Sequence, residues 1–557
     1  MSYDYDLGTH SCRITTNSDE AQLWFDRGLV WTYGYNHDEA IACFERALEH
    51  DPDCAMAYWG VAYAAGPNYN LPWALLDEGG RERALTKAYD ATQQALTRLE
   101  GLTKLETQLI NALLARYPQR ASAPLEDMQG WDRDFADAMR AAFAACPNQL
   151  DLRTIYVESL LNVTPWKMWD LRSGGPAEGA ATLEAQDVLE TAMRDDPAAM
   201  SHPGILHLYI HLMEMSPTPE KALKAGDILR TLVPDAGHLV HMPSHIDVLC
   251  GAYEDVVRWN QQAVVADLLY YEREGAFNIY TGYRQHNYHF IIYGALFLGQ
   301  MQPALDANRG IWATTPEEML RIESPPMADF FESYMAMEPH ILIRFGQWER
   351  AKALELPDDT DLYRTVTATV HYARAIAHAA TGDVPAAEAE EELFDAARAR
   401  VPDTRLMHNN KAVHLLEIAS EMLRGEIEYR KGNFETAFAH LRASVALDDG
   451  LPYDEPWGWM QPTRHALGAL LFEQGHTEEA EAVYREDLGL GGQLSRATVH
   501  PDNVWSLKGL HDCLKARGED IEIIQIKQRL DLALARADRS VAASCFCAQA
   551  AMQAAAV

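Results

Sequence analysis

The feature that most restricts this chain is a spacing. Counting Ala21 as position 1, residues 21–54 (AQLWFDRGLVWTYGYNHDEAIACFERALEHDPDC) put Trp24 at 4, Gly28 at 8, Ala40 at 20, Phe44 at 24, Ala47 at 27 and Pro52 at 32. The small residues at 8 and 20 let two helices approach closely, and Pro52 ends the unit. The register returns downstream. Unit 203–236 has Ala222 at 20 and Pro234 at 32, and unit 237–270 has Gly251 at 15 and Ala263 at 27. Unit 285–318 has Gly299 at 15 and Ala304 at 20, followed by Gly346/Ala351 in 332–365 and Gly382/Ala387 in 368–401. Units starting near 418, 461 and 504 carry Gly432/Ala437, Gly475/Ala480 and Gly518. One hairpin cannot bury its apolar face alone, so such units stack on their neighbours. Each packs only on the next, and 557 residues need no single large core.

Residues 21–54 resemble the tetratricopeptide repeat (TPR) at nearly every signature position. The resemblance implies an all-α solenoid of helical hairpins, a right-handed superhelix with a concave groove. The expected divisions are an N-terminal arm at 1–20, TPR-like repeats with insertions at 21–202, central repeats at 203–401, C-terminal repeats at 402–540, and an Ala-rich tail at 541–557 carrying Cys545-Phe546-Cys547. Further blocks are LGTHSCRITT at 7–16, NHDEAIACF at 36–44, DPDCAMAYWG at 51–60, GPNYN at 66–70, GHLVHMPSHI at 237–246, LPYDEPWGWMQPTRHALGALL at 451–471 and HPDNVWSLKGLHDCL at 500–514. Together they resemble a large, mostly uncharacterised bacterial family of TPR proteins of similar length. HMPSH and His286-Asn287-Tyr288 are more distantly similar to the tetratricopeptide repeat protein 38 family. These resemblances imply a fold and say little about activity.

In a TPR the first helix of each hairpin lines the concave side, with positions 2, 5, 9 and 12 turned into the groove, because steps of three and four stay on one helix face. His207, His211 and Glu214 take positions 5, 9 and 12 of unit 203–236. His238, His241 and His245 take positions 2, 5 and 9 of unit 237–270, and His286 and His289 take 2 and 5 of unit 285–318. Seven of the nine slots at positions 2, 5 and 9 are histidine, in a chain with only 21 histidines among 557 residues. The pairs His207/His211, His211/Glu214, His241/His245 and His286/His289 sit three or four apart, the spacing with which one helix face presents two ligands to one ion. The reading is a metal site with ligands His207, His211, Glu214, His241, His245 and His289, and with His238 and His286 as proton-shuttling catalytic residues. Imidazole-rich ligation with one carboxylate suits a divalent transition metal, Zn, Cu or Fe, without choosing among them.

This leads to a metal-dependent enzyme acting on a small molecule or peptide end in the groove, oxidoreductase and hydrolase chemistry being indistinguishable. The alternative is a non-catalytic scaffold whose groove binds a partner's peptide segment. Glu158 and His340 are possible extensions of the groove. Asn36, His37 and the GPNYN turn with Asn68 and Asn70 read first as structural. The tail Cys545-x-Cys547 is either incidental or a source of thiolate. A net charge of −35 argues against nucleic acid and anionic membrane as partners. Eight mostly scattered cysteines and a start without an apolar leader lead to a cytoplasmic expectation.

Overall fold

The computed structural model describes residues 3–548. Its elements are almost all helices. The one two-stranded sheet among the described residues is the short hairpin pairing Leu406–Met407 with Asn410–Lys411. Two compact units are formed, Met1–Ile246 with Val265–Glu272, and Asp247–Val264 with Arg273–Val557.

The first unit is built from consecutive hairpins. Asp19–Tyr33 packs on His37–His50, Ala55–Ala65 on Glu78–Leu96, Lys104–Arg116 on Leu125–Ala145, Leu150–Val163 on Thr182–Asp195, and Pro203–Met213 on Leu223–Leu229. The starts are capped as local chemistry requires. The Ser18 side chain accepts from the Ala21 N–H, and Asn36 accepts from Glu39. The N-terminal arm is tied down by the same kind of bond: Thr15 donates through both its N–H and its hydroxyl to Glu106, and Ser11 donates to Asp26.

The repeat signature has a direct packing cause. Phe44, at position 24, fills the space between two neighbouring first helices. A Cβ on Gly28 or on Gly60 would come within 2.6 Å of its ring. The second unit uses the device again, with the Tyr484 ring closed over Gly468 and Gly509. Its hairpins are Thr281–Leu298 with Met301–Thr314, Arg364–Ala380 with Val384–Arg398, Ala412–Arg430 with Phe434–Asp449, Arg464–Glu473 with Thr477–Asp487, and Val504–Arg517 with Glu522–Leu534.

Position 15 has a backbone cause. Gly299 (φ +73°) and Gly518 (φ +70°) end their helices in the left-handed conformation that a Cβ disfavours. The first repeat breaks the rule. Its position 15 is Tyr35, at φ +55°.

Gly60→Leu is expected to destabilise the protein by about 1–3 kcal/mol through overpacking against Phe44. Urea denaturation followed by circular dichroism checks this, and an unchanged midpoint would show that the slot has room.

Candidate metal centre

Five imidazoles and one carboxylate meet inside the first unit. His207 and His211 stand on helix Pro203–Met213, whose first turn is capped by the His202 side chain accepting from the Ile205 N–H. Glu214 follows at its C-terminus. His238 and His241 come from the short helix Gly237–His241, and His245 from the next helix, which begins at Pro243. Neighbouring ring centroids lie 4.7 Å (His207–His211), 4.9 Å (His207–His238) and 4.7 Å (His241–His245) apart. All six side chains are at most 1% exposed. The sequence reading placed them on an open groove, whereas here they are core residues. The cause is the cover. Tyr35 lies 4.7 Å from His207 and stacks on His238 at 5.5 Å, while Tyr69 and Trp166 close over His211 at 4.6 and 5.9 Å.

The hydrogen bonds set the tautomers. His207 Nδ1 is 2.7 Å from the Tyr33 carbonyl oxygen, which can only accept, so Nδ1 carries the proton. The Glu214 carboxylate accepts from His211 Nδ1 at 3.1 Å through Oε1 and from His245 Nδ1 at 2.7 Å through Oε2. In His207 and His211 the lone pair is therefore on Nε2. His211 Nε2 meets no hydrogen-bond partner. His207 Nε2 lies 3.2 Å from His238 Nε2. Two nitrogens bound tetrahedrally to one zinc-like ion at about 2.0–2.1 Å would be separated by about 3.3 Å. The His207, His211 and His238 ligand atoms all lie within 4.8 Å of one another.

Burial lowers the His207 pKa to about 3 and, with help from neighbouring imidazoles, carries His211 and His238 well below the usual value. The rings are held neutral, the form that ligates metal.

His241 and His245 are closer together, Nε2 to Nε2 at 2.7 Å, the length of an N–H···N bond. With the His245 Nδ1–H committed to Glu214, its Nε2 accepts and His241 donates.

His286 and His289 belong to the second unit, on helix Thr281–Leu298. His286 packs 5.2 Å from His408, whose Nδ1 bonds Asp454, and His289 Nε2 is 2.8 Å from Met460 Sδ. In that unit His340 packs edge-on to Trp459. Within the first unit, Glu158 is buried and accepts from the Tyr63 hydroxyl at 2.5 Å, His37 Nδ1 donates to the Ala64 carbonyl, and Asn68 closes its own turn onto Leu71. A second grouping, His10, Asp151 and His202, joins the arm to the helix bundle: Asp151 Oδ1 accepts from both rings and from the Tyr33 hydroxyl. His202 Nδ1 takes a backbone N–H, so its Nε2 carries the proton and offers no lone pair. That grouping is a structural anchor.

Sequence reasoning missed Tyr35, Tyr69, Trp166 and the Tyr33 carbonyl. Only Tyr35 left a signal. A non-glycine residue in the left-handed region costs about 1–2 kcal/mol. Tyrosine sits there because its ring covers the histidines.

A tetratricopeptide-repeat model matches residues 21–54. No curated protein matches the sequence. Among solved structures, the crystal structure of the APC/C hetero-tetramer Cut9-Hcn1 is similar at 12% identity over 93% of this chain and 78% of that one, with a TM-score of 0.31. The structure of Naa15/Naa10 bound to HypK-THB is similar at 11% identity over 92% and 70%, with a TM-score of 0.21. The chain is an all-α helical-hairpin protein with a tetratricopeptide repeat at residues 21–54 and a buried histidine cluster that could hold a metal ion. Among the described residues no helix is long and apolar enough to cross a membrane.

Tyr35→Gly relieves the backbone yet strips the cover from three imidazoles. The net effect expected is a loss of about 2–3 kcal/mol, the ring's contribution outweighing the strain. Chemical denaturation of metal-free protein measures it, and equal or higher stability would show that the ring does not hold the cluster.

Proposed function

We propose that His207, His211 and His238 hold one divalent transition metal through their Nε2 atoms, and that the protein is a metal-dependent enzyme acting on a small molecule or peptide end. The observation that supports this most is the commitment of both the His207 and His211 Nδ1–H groups to acceptors, which turns their Nε2 lone pairs to a common space where His211 Nε2 meets no partner and His207 Nε2 meets the His238 ring. Three neutral imidazoles suit Zn, Cu or Fe and leave a coordination position for water or substrate. A metal there supplies Lewis-acid or water-activating chemistry.

Glu214 takes an orienting role in this reading, since both its oxygens already accept from imidazole N–H groups. His241 and His245 form a relay ending on that carboxylate, placed to carry protons away from the centre. His286 and His289 fall outside this ligand set. The scattered free cysteines support the cytoplasmic setting and the bacterial TPR resemblance remains the expected kinship.

The burial of the imidazoles favours a second reading. A metal shut away from solvent would staple a non-catalytic TPR scaffold, whose partner is a peptide bound elsewhere on the hairpins.

The test is metal content of untagged, dialysed protein. About one equivalent is expected in the wild type and little in His211→Ala, while Glu214→Gln weakens binding by about 10–100-fold. Sub-stoichiometric metal in the wild type, unchanged in His211→Ala, would contradict the site. Cobalt-substituted protein then separates the two readings: an enzyme's open position shows a spectral shift with azide, and a closed structural site shows none.

A further inference from the structure

The tail supplies a second chemistry, confined to the second unit and independent of the metal centre. Cys545 and Cys547 are joined in a disulfide, while the remaining six cysteines are free. The pair is seated in the fold. Phe546 is buried, and the Ser544 hydroxyl bonds the Tyr484 hydroxyl at 2.6 Å and donates to the His465 carbonyl at 2.9 Å. Both sulfur-bearing residues line a narrow cleft of about 30 Å³ together with Arg344, Tyr372, Glu426 and Trp459. Cys545 is partly exposed and Cys547 is buried, so an incoming group meets Cys545 first.

We propose that Cys545 and Cys547 form a thiol–disulfide exchange site that oxidises a dithiol substrate whose thiol reaches the partly exposed Cys545 at the mouth of this cleft. A substrate thiolate attacks Cys545 Sγ, forming a new S–S bond as the Cys545–Cys547 bond breaks. Cys547 departs as thiolate and takes a proton. The second substrate thiolate then attacks the substrate sulfur of the mixed disulfide and expels the Cys545 thiolate. Two electrons have passed to the protein, and the substrate leaves as a disulfide. A further disulfide compound, reacting by the same steps in reverse, restores the oxidised pair.

Each intermediate has a group built for it. The Cys547 backbone N–H points at Cys545 Sγ at 3.3 Å and favours the thiolate there. Arg344 is a buried cation in the same cleft, lowered by burial to about 9, so nearby negative charge relieves its own desolvation. Its Nη2 already donates to His465 Nδ1 at 3.0 Å, and its Nε has no partner. Glu426 is fully buried and its Oε2 accepts no hydrogen bond. Arg430 Nη2 ties Glu426 Oε1 (2.6 Å) to the Cys547 carbonyl (2.5 Å), which fixes the carboxyl beside the leaving residue. Burial raises the Glu426 pKa against the opposing pull of Arg430, and this carboxyl is the acid lining the cleft with the departing Cys547. In the cytoplasmic setting proposed above, on which this point rests, a disulfide built into such a cleft fits cycling better than bracing.

The experiment equilibrates full-length protein across a series of reduced-to-oxidised glutathione ratios, quenches with acid, alkylates in denaturant, and counts modified thiols by intact mass. The expected result is a single step from six to eight thiols, absent in Cys545→Ser and Cys547→Ser. Cys547→Ser keeps the accessible sulfur and traps glutathione, while Cys545→Ser traps it at least about tenfold more slowly. Glu426→Gln slows reduction of the pair by dithiothreitol by about tenfold. Thermal melting of each variant confirms that it remains folded. Eight thiols at every ratio, a pair that resists excess dithiothreitol until the protein unfolds, or equal trapping by both serine variants would each overturn the proposal.

Discussion

The structure of the first unit turns on one buried carboxylate and one backbone carbonyl. Glu214 and the Tyr33 oxygen fix which nitrogen carries the proton on His207, His211 and His245. A buried imidazole without a partner is costly, since an unsatisfied polar group forfeits about 1–3 kcal/mol of solvation. Packing five of them together makes sense only when their polar atoms are shared out. The Nδ1 side of His207, His211 and His245 is shared among protein acceptors. The Nε2 side of His207, His211 and His238 converges on a common space. The helix ends near Glu214, the turn at Tyr33–Tyr35 and the covering rings all serve that division.

Much of the fold could be read from the residues. Gly28, Ala40 and Phe44 predict a close-packed hairpin because their roles are local and steric, and the Phe44 ring does lie against Gly28 and Gly60. The recurrent glycine at position 15 predicts a helix end because only a left-handed residue turns the chain there. The clustering of His207, His211, His238, His241 and His245 was legible for the same reason: steps of three and four put side chains on one face. Burial was not legible. Position numbers say where a side chain starts and not what lies over it, and Tyr69 and Trp166 reach His211 from loops outside the repeat register. Nor could spacing tell a ring with an unpartnered nitrogen from the group that orients it, which is the difference between His211 and Glu214.

The two units carry different kinds of reactive chemistry. The first holds neutral nitrogen donors in a dry, aromatic-lined core. The second holds sulfur beside a buried cation and a buried carboxyl, on a tail segment that sequence alone left without a place. In both, a local rule of the repeat is broken: a tyrosine stands where a turn calls for glycine, and a cysteine pair is seated beyond the last hairpin. Such departures are informative because the repeat itself demands neither.

The central claim is that Nε2 of His207, His211 and His238 binds a metal while Glu214 stands behind the rings. Anomalous difference maps from crystals of the intact protein, collected across a metal absorption edge, test it most directly. The prediction is one strong peak about 2.0–2.1 Å from those three nitrogens, with no Glu214 oxygen in contact. A peak bonded to Glu214, or none in protein supplied with zinc, would contradict it.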